Sequence, residues 1–415
     1  MNRLRARELA RSPTGVASTW TLAGQAVTFG SLIVFAGLSG PRPVALLAAG
    51  SALVAVVNTF STVGVELVLP VAPPRELLSL YRRGAVALAV SAIGSVIAGV
   101  PIAVALKQPS WIAVAAGVGV VAVALGQLIS AALVRHRRVT VVGAYRFGSA
   151  LLTALAQGIA LAAMGARAPW ALFAGYVAGS VVASLSLFGH VLRDLLAEVR
   201  AAAGPALAAP WRHLQAAAAA GLNIATLQGP AIIWPGVLGS SLAGQWSLVM
   251  RVAAAPVSLA LGPLSNSIYA DVADLIRGER RSELLPTLVK WRRRLLIYSL
   301  TSAAASAVVI LVLPSVLGPA WGRMRFLLPL GLLFVVTQCV VTPMGELLNL
   351  ISQSRTQLLW DAARLATIAV AIAIVANARG YAILLSYSLA MAIFYVILYR
   401  ITTAAMAKFV SRAPS

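Results

Sequence analysis

Few ionisable residues stand inside apolar runs of this chain, and they limit the chemistry it can do. Arg251 is the deepest, about nine residues into its run and hence ~13 Å along a helix axis. A guanidinium at such depth costs ~2.5–3.5 kcal/mol even on the lenient insertion scale. It therefore needs water, a carboxylate or an anionic ligand, and its planar fork of donors suits phosphate or carboxylate. Two readings stand: an anion-contacting group in a wet cavity, or half of a buried ion pair with Glu66. Arg146 and Arg364 lie closer to the ends of their runs, where they face the cavity or snorkel to headgroups. Asp361 and Arg364 are three residues apart on a helix and can pair. Glu66 and Glu346 stand near run ends, where H⁺ or Na⁺ coupling and plain solvation are both open.

Uncharged polar residues recur at helical spacing beside these groups. Ser18, Thr21, Gln25 and Thr28 share one face, as do Asn58, Thr62 and Glu66. Asn223 and Thr226 precede Pro230 and Pro235, Ser247 and Ser258 flank Arg251, and Gln338, Thr342, Glu346 and Asn349 form a further stripe. Small hydroxyls often bond their own helix or glue neighbours. The larger amides of Gln25, Asn58 and Asn223 are the candidate cavity-lining groups beside Arg251, Arg146 and Arg364.

Other chemistry is not indicated. The single cysteine, Cys339, rules out an internal disulfide framework and a cysteine-ligated metal site. His136, His190 and His213 are too scattered for a metal cluster. No Ser/His/Asp set, phosphate-cradling glycine loop or carboxylate pair at catalytic spacing is present. The expectation is a protein with no catalytic residues, no metal and no cofactor.

The elements that hold these residues are membrane spans. Of 415 residues, 60% are hydrophobic and only 11% charged, with a mean hydropathy of +0.90. Soluble domains carry far more charge, and the apolar runs are too long and unbroken for a β-barrel. Helices remain, because they satisfy their own backbone in lipid. At ~20 residues per crossing, spans fall at about 16–37, 45–70, 84–106, 111–134, 139–164, 170–191, 215–238, 242–270, 295–317, 327–350, 358–376 and 381–402. The start MNRLRARELARS is basic, but the apolar run after it is long, polar-studded and without a small-residue cleavage site, which reads as a retained first helix.

The net charge of +22 raises a nucleic-acid partner, but its distribution points to topology and anionic lipid instead. Twelve spans with an inside N-terminus put the dense clusters on one side: Arg3 to Arg11, Arg82 and Arg83, Arg135 to Arg138, and Arg277 to Arg294. Both termini are then cytoplasmic, in a multi-pass protein of the inner (cytoplasmic) membrane.

The long mid-chain connection, residues 193–213, divides the sequence into lobes at 1–192 and 214–415. Gly126 to Arg146 echoes Gly345 to Arg364, and RELLSLYRR echoes SELLPTLVKWRRR. A duplicated six-helix unit keeps one orientation, so its pseudo-two-fold axis runs along the membrane normal. The expected fold is therefore an all-α polytopic membrane protein of about 12 transmembrane helices in two six-helix bundles.

GQWSLVMRVAAAPVSLALGPLSNSIYADVADLIRGERRSEL, LPSVLGPAWGRMRFLLPL and STWTLAGQAVTFGSLIVFAG resemble the polysaccharide (O-antigen or exopolysaccharide) flippases of the multidrug/oligosaccharidyl-lipid/polysaccharide exporter superfamily. That resemblance covers most of the chain and implies two lobes around a cationic cavity. It implies translocation of an undecaprenyl-pyrophosphate-linked oligosaccharide by alternating access, with H⁺ or Na⁺ as coupling ion and the protein working as a monomer. Arg251 takes the position of the family's eighth-helix arginine. The alternative is an ion-coupled drug or metabolite antiporter of the same superfamily. An enzyme would need larger outer loops than these.

Overall fold

The computed structural model describes residues 13–62, 64–69, 76–105, 109–201, 214–278, 280–345, 347–351, 353–375, 377 and 380–411. Twelve long helices occupy them, and no strand is present among the described residues. They are α1 (Pro13–Ser39), α2 (Pro41–Ser61), α3 (Leu77–Ala105), α4 (Trp111–Arg135), α5 (Val139–Met164) and α6 (Ala171–Ala201). The second set is α7 (Leu214–Val237), α8 (Ser240–Arg277), α9 (Leu284–Leu317), α10 (Met324–Gly345), α11 (Ser354–Val375) and α12 (Gly380–Ser411). The number expected from the apolar runs is the number found. Among the described residues, ten are long and apolar enough to cross a membrane. Of the other two, α7 carries Asn223, Thr226 and Gln228, and α8 carries Gln245, Ser247 and Arg251.

Two boundaries correct the sequence reading. The over-long second run is not one helix: α2 starts at Pro41 and stops at Ser61, Gly64 takes a left-handed conformation (φ 74°), and a short helix follows at Val65–Val68. In addition, α11 starts at Ser354. Arg364 is therefore about ten residues in, or ~15 Å along the axis, deeper than the run from 358 indicated. The linker expected at 193–213 is described only to Ala201, and Glu346 lies outside the described residues.

The chain forms two compact units, Met1–Gly236 and Val237–Ser415. Five pairings recur in the two halves. In the first, α2 packs on α3, α3 on α4, α2 on α4, α4 on α6 and α5 on α6; in the second, α8 on α9, α9 on α10, α8 on α10, α10 on α12 and α11 on α12. The first half also packs α1 on α5 and α2 on α6, so the repeat is partial. The entry into the second helix of each half is also alike. Gly40 (φ 80°) precedes α2 and Gly239 (φ 77°) precedes α8, positions where a side chain would be strained.

Small residues set the closest crossings. Gly175 and Gly179, one turn apart on α6, lie against the α5 backbone: a Cβ on either would come within 2.4 Å of the Cα of Gln157 or Thr153. This is small-xxx-small packing, in which van der Waals contact replaces the hydrophobic drive that lipid does not supply. Serine hydroxyls add cross-helix bonds. Ser184 of α6 donates to the Ala122 carbonyl of α4 at 2.6 Å, and Ser299 of α9 donates to the Val336 carbonyl of α10 at 3.3 Å. The outward surfaces are apolar, with Ile159, Val316 and Ile374 exposed, as lipid-facing surfaces must be.

Candidate functional site

In the first unit, α1 and α5 bring two candidate residues onto adjacent helices. Gly24 lets α1 approach until a Cβ there would sit 3.1 Å from the Arg146 carbonyl oxygen. Gln25 is the next residue, half-buried, with its Oε1 buried and lacking a hydrogen-bond partner among the described residues. The Arg146 side chain is exposed. Trp20 packs on Phe147 across the same crossing, with ring centroids 5.2 Å apart.

A second polar group surrounds the end of α2. Asn58 is buried and donates from Nδ2 to Gln127 Oε1 of α4 at 2.9 Å, a bond that ties α2 to α4 rather than leaving the amide open. Glu66 sits in the short helix beyond Gly64. Its Oε2 and the Thr62 hydroxyl are buried with no hydrogen-bond partner among the described residues. Arg135, at the end of α4, donates to the Leu69 carbonyl at 3.2 Å and holds this segment in place. Asn223 is half-buried on α7, close to Gly221, which lies against the Phe60 ring.

In the second unit, Arg251 is half-buried on α8 and Ser247 is buried one turn before it. What positions Arg251 is the proline that follows. Pro256 has no N–H to give the Val252 carbonyl, and the Ser306 hydroxyl of α9 donates to that oxygen instead, at 3.3 Å. Tyr298 of α9 donates to the Pro256 carbonyl. The freed backbone group is thus met by a neighbouring helix, the usual condition for proline inside a span, and α8 is pinned to α9 just past Arg251. Glu66 belongs to the first unit and Arg251 to the second.

Arg364 has different surroundings. Its side chain is 0% exposed and pairs with Asp361, 1% exposed, at 2.9 Å. The guanidinium carbon lies 4.3 Å from the Trp360 ring centroid and 5.6 Å from that of Tyr395. Burial at this depth leaves no route for snorkelling to headgroups. The aromatic surround drew no notice in the sequence, because Trp360 and Arg364 are one turn apart on α11 whereas Tyr387 and Tyr395 come from α12. Among the described residues, no group of three or more His, Cys, Asp or Glu side chains is placed to hold a metal ion.

No protein-family model matches the chain, and no curated protein matches it in sequence. Solved structures do match. A transporter of the MOP superfamily from Pyrococcus furiosus, whose binding pocket is described as having reversed polarity, aligns over 98% of both chains with a TM-score of 0.63 and 11% identity. The inward-facing conformation of a multidrug resistance MATE family transporter of the MOP superfamily aligns over 96% of both chains, with a TM-score of 0.61 and 11% identity. The outward-facing conformation of such a transporter aligns over 96% of this chain and 98% of that one, with a TM-score of 0.55 and 12% identity. The chain has the MATE fold. That fold consists of two bundles of six helices, and likeness over nearly the full length of both proteins accounts for the recurring pairings. Nothing in these matches favours a flippase over other transporters of the MATE fold.

Proposed function

We propose that the chain is a multi-pass transporter that works by alternating access as an ion-coupled antiporter of drug-like or metabolite solutes. The observation that carries this reading is likeness in fold, over nearly the full length, to multidrug resistance MATE family transporters in inward-facing and outward-facing conformations. Within its own unit, each of two half-buried polar residues, Asn223 on α7 and Arg251 on α8, is a candidate solute contact. Gln25 and Arg146 line the α1–α5 crossing. Glu66 is the candidate coupling acid, its Oε2 buried without a hydrogen-bond donor among the described residues; Glu346, in the polar stripe of the second half's sequence, is a second candidate. Basic segments that alternate with the spans support cytoplasmic termini in the inner (cytoplasmic) membrane.

One observation favours a second reading. The accessible charge near the middle of α8 is a guanidinium, Arg251, which suits the phosphate of a lipid-linked oligosaccharide better than an organic cation. A single pair of assays separates the two. Proteoliposomes carrying the full chain and an imposed H⁺ or Na⁺ gradient are offered fluorescent amphipathic solutes. Separate vesicles are tested for translocation of an undecaprenyl-pyrophosphate oligosaccharide. Antiport predicts gradient-driven solute accumulation and no glycolipid translocation. Translocation of the glycolipid without solute movement would replace the antiporter by the flippase.

A further inference from the structure

A buried carboxylate bordered by aromatic faces has the chemistry of a cation site. Ring quadrupoles attract a cation placed over them, most strongly when water is excluded, and the carboxylate fixes one edge of it. The second unit contains such an arrangement. Trp360 and Tyr395 present their rings to one point, with centroids 6.2 Å apart. Phe334 of α10 braces Tyr395 edge-on at 6.3 Å and stacks on Tyr387 at 5.8 Å. The Trp360 indole N–H is committed to the Phe394 carbonyl at 3.2 Å, which fixes the ring plane. Asp361 supplies the carboxylate, and its Oδ2 remains buried with no hydrogen-bond partner among the described residues.

We propose that Asp361, Trp360 and Tyr395 form a binding site for a planar organic cation of the guanidinium class, and that Arg364 occupies it from within the chain. Arg364 is therefore a resident ligand. Its tether is one helical turn from both Trp360 and Asp361, so the site is filled whenever α11 is helical. A plain structural ion pair would not need this construction: replacing a buried pair with apolar residues of similar volume is often neutral or stabilising. The box also discriminates by shape, since a flat cation lies against the Trp360 face while one of its nitrogens donates to Asp361 Oδ1. This inference stands independently of what the protein transports.

The test uses the full chain in lipid nanodiscs and methylguanidinium as probe. Arg364→Gly opens the box and should lower the thermal unfolding temperature. Millimolar methylguanidinium should restore it saturably in that variant and leave the wild type unmoved, whereas Na⁺ and urea at equal concentration should not. Adding Asp361→Asn or Trp360→Leu to Arg364→Gly should abolish the rescue. Absence of rescue in Arg364→Gly, or an equal shift in the wild type, would overturn the proposal. A second measurement on the wild-type chain covers an Arg364→Gly protein that does not insert. One arginine side chain should show N–H resonances shifted upfield by the Trp360 ring and protected from exchange with water, and Trp360→Leu should remove the shift. If no arginine shows both properties, the box does not hold a resident guanidinium.

Discussion

Gly179→Ala should deplete the folded protein from the membrane, although it adds only one methyl group. The added Cβ would stand 2.4 Å from the Thr153 Cα and 2.8 Å from its backbone nitrogen, so no side-chain rotation relieves it and α6 must move away from α5. Overpacking of an ordinary core costs ~1–3 kcal/mol. Here the obstacle is backbone on a neighbouring helix, so the upper end of that range or more is expected. The same shift would strain the Gly175 contact one turn away. Gly94→Ala is the control, because nothing lies within 4 Å of a Cβ at that position, and alanine is the better helix former. Thermal unfolding and membrane-inserted yield of the two variants should differ clearly. A Gly179→Ala protein as stable as Gly94→Ala would mean that α5 and α6 do not cross at these glycines.

Arg251→Ala should impair transport by weakening the apparent affinity for the solute. A hydrogen bond to a charged group is worth ~1.5–3 kcal/mol, so losing this contact predicts roughly a 10–100-fold loss in apparent affinity. The residue is half-buried and makes a contact of its own within the protein, so transport is to be compared at equal amounts of membrane-inserted protein. Arg251→Lys keeps the charge without the planar fork and should retain part of the activity. Full transport by a well-inserted Arg251→Ala protein would remove this residue from the substrate path.

Long elements were legible in the sequence because lipid permits little else: an apolar run of about twenty residues has to be a helix. The duplicated halves were legible through weak echoes, and the structure repeats the echo at one point. Gly126 of α4 lies nearest Tyr145 of α5 and also against Ser184 of α6, and Gly345 of α10 lies against Leu398 of α12, so the contact with the sixth helix of each half is the part that recurs. The break after Ser61 was hidden because Val63, Gly64 and Val65 continue an apolar run, and hydropathy does not register a positive φ. Partnerships between helices were also hidden. Asn58 was read as a cavity group, yet Gln127 receives its amide, and only tertiary packing brings α4 beside it. Arg146 and Arg364 hold matching places in the two echoes but differ completely in environment, exposed in one half and boxed in the other. Spacing along a chain gives the face of a helix, not what covers that face. The Gly175–Gly179 pair is a small-xxx-small motif in the sequence, but it does not stand out among 33 glycines.

Alternating access itself is best tested by asking from which side a polar position on α7 can be reached. Cys339 is the only cysteine and is buried, so Cys339→Ala provides a background in which Asn223→Cys is the sole thiol. In sealed vesicles of known orientation, a membrane-impermeant maleimide should label this thiol from one face only, and reversing the H⁺ or Na⁺ gradient should transfer the labelling to the opposite face. Labelling confined to a single face under every gradient, or from both faces at once, would contradict the transporter reading.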